Sequence, residues 1–348
     1  MRWRHAMKTS NVTIATLGSH SALQILRGAK DEGFRTALVC LKKRLKLYSR
    51  FKGLIDDVIV VESFSEVASR EVQDRLLSLN AVLIPHGSLV EYVDLNVVEE
   101  EFKVPIFGNK YILRWEADRE LKERLLREAG ARTPRVYESI DDVDGPVIVK
   151  LPGAKGGKGY FLASSPSEVR DKLRSLGLSE EEVFVQEYIF GVTAYTHFFY
   201  SPLTGDLELV SIDRRYEANA DGLGRMPADM QLRLKPNLSY LVVGNIPIVL
   251  RESLLEEVFD VGDGLVEASK RLVPPGFVGP FCIEGAYDGE GRFYVFEFSA
   301  RIVAGTNLYV YGSPYTWLTY SEPMSMGRRI AREIREAIES NRLSLVVT

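Results

Sequence analysis

Two glutamates, Glu284 in PFCIEGAY and Glu297 in FYVFEFSARIVAGTN, carry the strongest chemical signal in this chain. The segment Asp288-Gly289-Glu290-Gly291 between them predicts a hairpin turn, and counting back from it sets the acids nearly opposite each other on paired strands. Carboxylates among so many apolar and aromatic neighbours call for a compensating positive charge. A divalent ion, Mg2+ in the first instance, shared between them and the oxygens of a triphosphate would supply it and serve phosphoryl transfer. The alternative is a pair of exposed glutamates on a solvated strand face. Ile283, Phe296 and Phe298 are expected to fill the opposite face, which leaves both acids on one side together with Ser299 and Arg301.

A phosphate grip lies upstream. Pro152 to Gly159 reads PGAKGGKG, with Gly153, Gly156, Gly157 and Gly159 around Lys155 and Lys158. Glycines let backbone amides approach phosphate oxygens, and lysines add movable charge. The loop lacks the GK[ST] of a P-loop and the helix-opening context of a dinucleotide fingerprint. A flexible hairpin with surface lysines would look the same, but Lys150, ending the apolar strand just before the loop, favours a nucleotide site. Gln186-Glu187-Tyr188-Ile189 is the adenine candidate, with backbone groups for the base edge and Glu187 accepting from an exocyclic amine. In Asp213-Arg214-Arg215-Tyr216-Glu217 either arginine would hold a phosphate or a developing acyl phosphate, the alternative being a solvated turn. Asn219, Asp221 and Gly222 then read as the start of a mobile loop.

The elements that must position these groups follow from the apolar pattern. NVTIATLG, RTALVCL, DDVIVV, AVLIPHG and a short VPIFG read as strands alternating with helices, which implies an open, mainly parallel sheet. Ligands gather beyond the carboxyl ends of such strands, where Gly18-Ser19-His20 and His86-Gly87-Ser88 fall. His20 and His86 are placed to bind an anionic substrate as hydrogen-bond donors. A new unit opens near Lys110, with a helix from Glu116 to Ala129, a strand–loop–strand around the glycines, a helix from Ser167 to Leu176 and the strand EVFVQEYIFG. From Tyr195 the pattern turns antiparallel, with a helix from Leu254 to Leu272, the acidic hairpin and a final helix from Met324 to Glu339. The expected division is 1–110, 111–190 and 191–348, an α/β chain of mixed α+β character with a parallel-sheet unit first.

Composition sets the remaining bounds. A chain of 348 residues has room for two or three cores, and a formal net charge of −4 gives no broad surface for polymeric nucleic acid. Cys40 and Cys282 sit in apolar runs as expected free thiols, no cysteine spacing suits zinc, and no apolar run is long enough for a bilayer. Met1 to Lys8 leads into no signal-like core, so a cytoplasmic protein without a membrane partner is expected.

Taken together, these segments resemble the ATP-grasp superfamily. More narrowly, IATLGSHSALQIL, LIPHGS, PGAKGGKGY, IDRRYEAN, VGNIP, IEGAY and FEFSARIVAGTN are similar to an archaeal family of formate-dependent purine-biosynthesis ligases, and the similarity runs through nearly the whole chain. Members formylate 5-aminoimidazole-4-carboxamide ribonucleotide (AICAR) with formate and ATP, through formyl phosphate, on the route to IMP. The resemblance implies an ATP-grasp fold behind an N-terminal open parallel sheet. It implies ribotide contacts from His20, Ser88 and Asn245, with His86 beside them. It implies an ATP site from Lys110, Lys150, the loop from Gly153 to Gly159, Glu187, Tyr188, Ile189 and Glu217, with Mg2+ or Mn2+ on Glu284 and Glu297. Lys150, Arg214 and Arg215 would stabilise the transferred phosphoryl group, and a homo-oligomer is implied. Ser299 replaces an asparagine that many superfamily members place near the metal, and GVTAY replaces an acidic ribose contact, which leaves Glu217 for that role. Two rivals stand beside this reading: a related ligase joining another carboxylate to an amine-bearing nucleotide, and a nucleotide-binding regulatory protein without chemistry.

Overall fold

Every strand of the first sheet is parallel. β1 (Thr13–Leu17), β2 (Arg35–Leu41), β3 (Asp57–Val61) and β4 (Ala81–Leu83) stand in the order β3-β2-β1-β4. The computed structural model describes residues 12–155, 158–234, 236 and 238–348, with the side chains of 153–158 outside that description. The helix Ala22–Asp31 covers this sheet with a stripe of Ala22, Ile25, Leu26 and Ala29, the spacing of one helical face. The expected fifth strand at VPIFG is reduced to isolated bridges, Leu83 to Ile106 and Phe107 to Val347. Pro105 has no N–H to donate to a ladder, which limits pairing there. The expected helix from 116 to 129 is two helices, Ile112–Ala117 and Arg119–Glu128, broken where the Asp118 side chain turns to cap the second.

The glycine segment lies in a small antiparallel sheet of β5 (Val136–Tyr137), β6 (Val147–Lys155), β7 (Lys158–Ala163) and β8 (Phe184–Glu187), ordered β5-β8-β6-β7. The helix Pro166–Leu176 backs it, opened by the Ser165 cap and closed by Gly177 in the left-handed conformation.

The third sheet is antiparallel and holds the acidic hairpin. β9 (Val192–Tyr200), β10 (Leu207–Glu217), β11 (Val242–Pro247), β12 (Gly279–Tyr287) and β13 (Phe293–Ser299) run in the order β11-β10-β9-β12-β13. Strand alternation sends the neighbours Phe198 and Phe199 to opposite faces. Phe198 joins a core with Phe281 and the helix Leu255–Leu272, whereas Phe199 joins a core with Val210, Ile14 and the helix Met326–Glu339. The last helix therefore packs on the first sheet as well as on the third. The stretch expected as a mobile loop contains the helix Ala228–Leu234 and leads into β11, an edge strand that ends on Pro247. Both cysteines are buried free thiols. Among the described residues no helix is long and apolar enough to cross a membrane.

Candidate active site

Glu284 and Glu297 are register partners across β12 and β13, and both line a cleft of about 520 Å³ between the small sheet and the third sheet. The register slips between Glu284 and Gly285, and Phe296 is left without a partner in the ladder. That bulge turns Phe296 toward the cleft beside the acids, instead of onto the opposite face where strict alternation would put it. Ile283 and Phe298 do fill the opposite face and are fully buried.

Each acid is held by its own cation. Glu284 Oε2 accepts from Arg215 Nη2 at 2.7 Å, and its Oε1 accepts from Ser299 Oγ at 3.0 Å. Arg215 lies 3.9 Å from the Tyr195 ring centroid, a cation–π contact that fixes the guanidinium. Glu297 Oε1 accepts from Lys122 Nζ at 2.5 Å. Burial would raise the Glu297 pKa, but Lys122 outweighs it and the carboxyl stays below its ordinary range. Lys150 Nζ donates to Gln186 Oε1 at 3.0 Å, and burial pulls its ammonium below the usual lysine range despite the pull of Glu297.

The adenine candidates Glu187, Tyr188 and Ile189 line the same cleft, as does Glu217. Some backbone groups expected to meet a base are already used: Glu187 N donates to Arg135 O at 2.8 Å and Tyr188 N to Pro146 O at 2.9 Å. The Glu187 carboxylate also accepts from Arg135 N. Burial, then Asp221, raises the Glu217 pKa. Across the cleft, Tyr160 of β7 stacks on Tyr240, with ring centroids 4.9 Å apart. Gly159 takes a left-handed φ of 80° next to that ring. The readings on Gly156 and Gly157, and on the side chains of Lys155 and Lys158, lie outside the described residues, as does any contact at Gly153.

Other expected residues are elsewhere. Arg214 points to the other face of β10 and pairs with Asp221 at 3.0 Å, so the structure brings Arg215 and not Arg214 to the cleft. Lys110 does not line it: its backbone N–H donates to Thr348 Oγ1 and its ammonium lies over the Tyr111 ring. His20, His86 and Ser88 gather at the carboxyl ends of β1 and β4, with the two imidazoles 5.4 Å apart. His86 is buried, its Nε2 donates to Leu17 O at 2.8 Å and its Nδ1 accepts from Ser88 N at 3.2 Å. Burial pushes its pKa down to about 3. With both ring nitrogens used, His86 caps and positions the turn rather than donating to a substrate, contrary to the sequence reading. His20 is an exposed residue on a strained φ of 41°, and the Ser88 hydroxyl is buried without a partner among the described residues. The segment after β13 joins these groups to the acidic hairpin: Arg301 pairs with Glu116 at 2.7 Å, Ile302 bridges to His86, and Asn307 donates to His20 O.

Sequence reasoning missed the wall formed by Arg119, Lys122 and Glu123. The signal was present, because i, i+3 and i+4 put all three on one face of the helix Arg119–Glu128. Among the described residues no group of three or more acidic, histidine or cysteine side chains is placed to hold a metal. Two carboxylates on one wall of a phosphate-sized cleft do suit an ion of the Mg2+ type, which needs only one or two and completes its shell from phosphate and water.

Comparison with known proteins gives one consistent answer. Residues 172–348 match a family described as a domain of unknown function (DUF1297), and residues 14–137 a protein of unknown function (DUF1246). A 5-formaminoimidazole-4-carboxamide-1-(beta)-D-ribofuranosyl 5'-monophosphate synthetase of Ignicoccus hospitalis is 54% identical over 97% of this chain and 96% of its own length. The namesake from Pyrococcus abyssi is 51% identical over 97% and 98%. The crystal structure of an IMP biosynthesis protein PurP from Thermococcus kodakaraensis superposes with a TM-score of 0.79 at 37% identity, over 96% of this chain and all of that one. An ADP complex of N5-carboxyaminoimidazole ribonucleotide synthetase shares the fold alone, with a TM-score of 0.66 at 15% identity, over 94% of this chain and 78% of that one. The fold is that of the ATP-grasp enzymes, and the chain belongs to the 5-formaminoimidazole-4-carboxamide ribonucleotide (FAICAR) synthetase family, PurP.

Proposed function

We propose that this protein is an ATP-dependent carbon–nitrogen ligase that formylates the 5-amino group of AICAR with formate, releasing ADP and phosphate, in the cytoplasm. The reading is carried by one observation above all: Lys150, Arg215, Glu284 and Glu297 converge in a single cleft, in a chain about half identical to named synthetases over nearly its full length.

The chemistry divides into two transfers. A formate oxygen attacks the γ-phosphorus, the bond to the β,γ-bridging oxygen breaks, and ADP leaves. The ribotide amine then attacks the formyl carbon, the bond to phosphate breaks, and the nitrogen loses a proton. Lys150 and Arg215 meet negative charge that grows on the transferred group, on side chains already fixed by Gln186 and Tyr195. Glu284 and Glu297 would hold Mg2+ or Mn2+, which when bound offsets charge on the phosphate oxygens. Arg215 and Lys122 balance the same acids from within the chain. The Tyr160–Tyr240 stack joins β7 of the small sheet to the segment that leads into β11 and suits exclusion of water from an acyl phosphate. His20, Ser88 and Asn245 would receive the ribotide, and the aromatic amine needs placement more than a strong base.

Purified protein with Mg2+, ATP, formate and AICAR should yield ADP, phosphate and a formamido product, each dependent on all three substrates. ADP formation with another carboxylate or ribotide but not these would establish the related-ligase reading, and ATP binding without turnover in any combination would establish the regulatory one. A homo-oligomer is part of the proposal, supported by the exposed apolar side chains of Tyr311, Trp317 and Leu318. Light scattering that returns a monomer mass would remove it.

A further inference from the structure

Beyond the cleft, β9 and β10 carry a buried polar pair that the ligation as described does not use. Asp213 and His197 are each about 1% exposed, and His197 Nε2 donates to Asp213 Oδ1 at 2.5 Å. The other oxygen, Asp213 Oδ2, accepts from Asn245 Nδ2 at 2.7 Å. Asp213 lies on the same face of β10 as Arg215 and Glu217, so the pair continues the cleft floor toward the first sheet. It is roofed by the segment that reaches His20: a Cβ at Gly305 would stand 2.1 Å from Asp213 Oδ1 and 2.8 Å from His197 Nε2, and Asn307 donates to His20 O. Asn245 therefore lies between the nucleotide cleft and the histidine pocket.

The chemistry of the three groups fixes their polarity. An ionised carboxylate only accepts, so it turns the NH2 end of the Asn245 carboxamide inward and leaves the carbonyl oxygen facing out. His197 Nε2 must carry the hydrogen it gives to Asp213. Its Nδ1 is buried without a partner among the described residues, which costs less as a lone pair than as a second N–H. Nothing about an asparagine alone would choose between presenting an acceptor and presenting a donor.

We propose that His197 and Asp213 are positioning residues that lock Asn245 with its carboxamide oxygen outward, so that it accepts a hydrogen bond from an N–H of the ribotide's amine or carboxamide. The proposal rests on the reading that Asn245 contacts the ribotide. It makes this triad a specificity device: a ligand that presents a carbonyl where AICAR presents N–H meets another acceptor and is rejected.

The test is calorimetric titration of the full-length protein with AICAR, with ADP as the control ligand. Asn245→Ala and Asp213→Asn should each weaken AICAR binding about 10- to 100-fold, the range for losing a hydrogen bond made through a charged group, while ADP binding stays at wild-type values. The double variant should be no weaker than either single one, because both act through one contact. His197→Gln, which can still donate to Asp213, should keep wild-type affinity, and His197→Leu should match Asp213→Asn. If Asp213→Asn does not fold, the two His197 variants make the same comparison. Wild-type affinity in Asp213→Asn or His197→Leu, or additive losses in the double variant, would overturn the inference. Unchanged AICAR binding in Asn245→Ala would instead overturn the contact reading on which it rests.

Discussion

Glu297 shows how far single residues could be read from sequence. Its partnership with Glu284 was legible because a hairpin turn and a count of two-residue alternation fix register. Its neighbour Phe296 was not, because a bulge depends on what the rest of the strand must pack against. Lys122, the cation that holds Glu297, comes from a helix far away in sequence, and its face could be computed but not its target. Arg215 and Arg214 were indistinguishable until β10 was placed, since alternation says that they diverge without saying which one faces the cleft. Glu297→Gln keeps the shape and removes the charge. Turnover should fall at least about 100-fold, as for removal of a group that stabilises charge in the transition state, with the urea midpoint unchanged. Activity near wild type would remove Glu297 from the reaction.

At the scale of elements, the long periodic pieces were legible and the short ones were not. The helix Leu255–Leu272 and strands β9, β10, β12 and β13 fall where pattern sets them. β11 was missed because VVGNIP carries a glycine and a proline, which an edge strand tolerates but which also mark loops. The turn at His86 gives an element-level prediction. The folded protein holds this imidazole near a pKa of about 3, against 6.5 for the unfolded chain, so protons bind the unfolded state first as pH falls. The stability that the neutral ring contributes is fully present above pH 6.5 and is lost on acidification toward pH 3, at up to about 1.4 kcal/mol per pH unit. His86→Gln should flatten the loss in that window when urea unfolding is followed across pH. An unchanged slope would mean that other groups set the acid limb.

The whole molecule is closed by its last helix, which no local pattern could have assigned to the first sheet. Glu32, with a fully buried carboxylate, receives Arg328 at 2.7 Å, Arg332 at 2.7 Å and Arg335 at 2.6 Å, all from the helix Met326–Glu339. The same helix sends Arg329 to Glu208 of β10, so it ties the first sheet to the third. Removing one member of a buried ionic cluster leaves the others uncompensated. Glu32→Ala should therefore cost about 3–5 kcal/mol in urea unfolding, and a loss under 1 kcal/mol would show that solvent already screens the cluster.

The fate of formate oxygen reads the proposed phosphoryl transfer directly. With formate labelled in both oxygens with 18O, together with ATP and AICAR, attack on the γ-phosphorus predicts one labelled oxygen in the released phosphate and one in the formamido product. Mass spectrometry that finds phosphate without label, while the formamide forms, would contradict the formyl phosphate route on which the account depends.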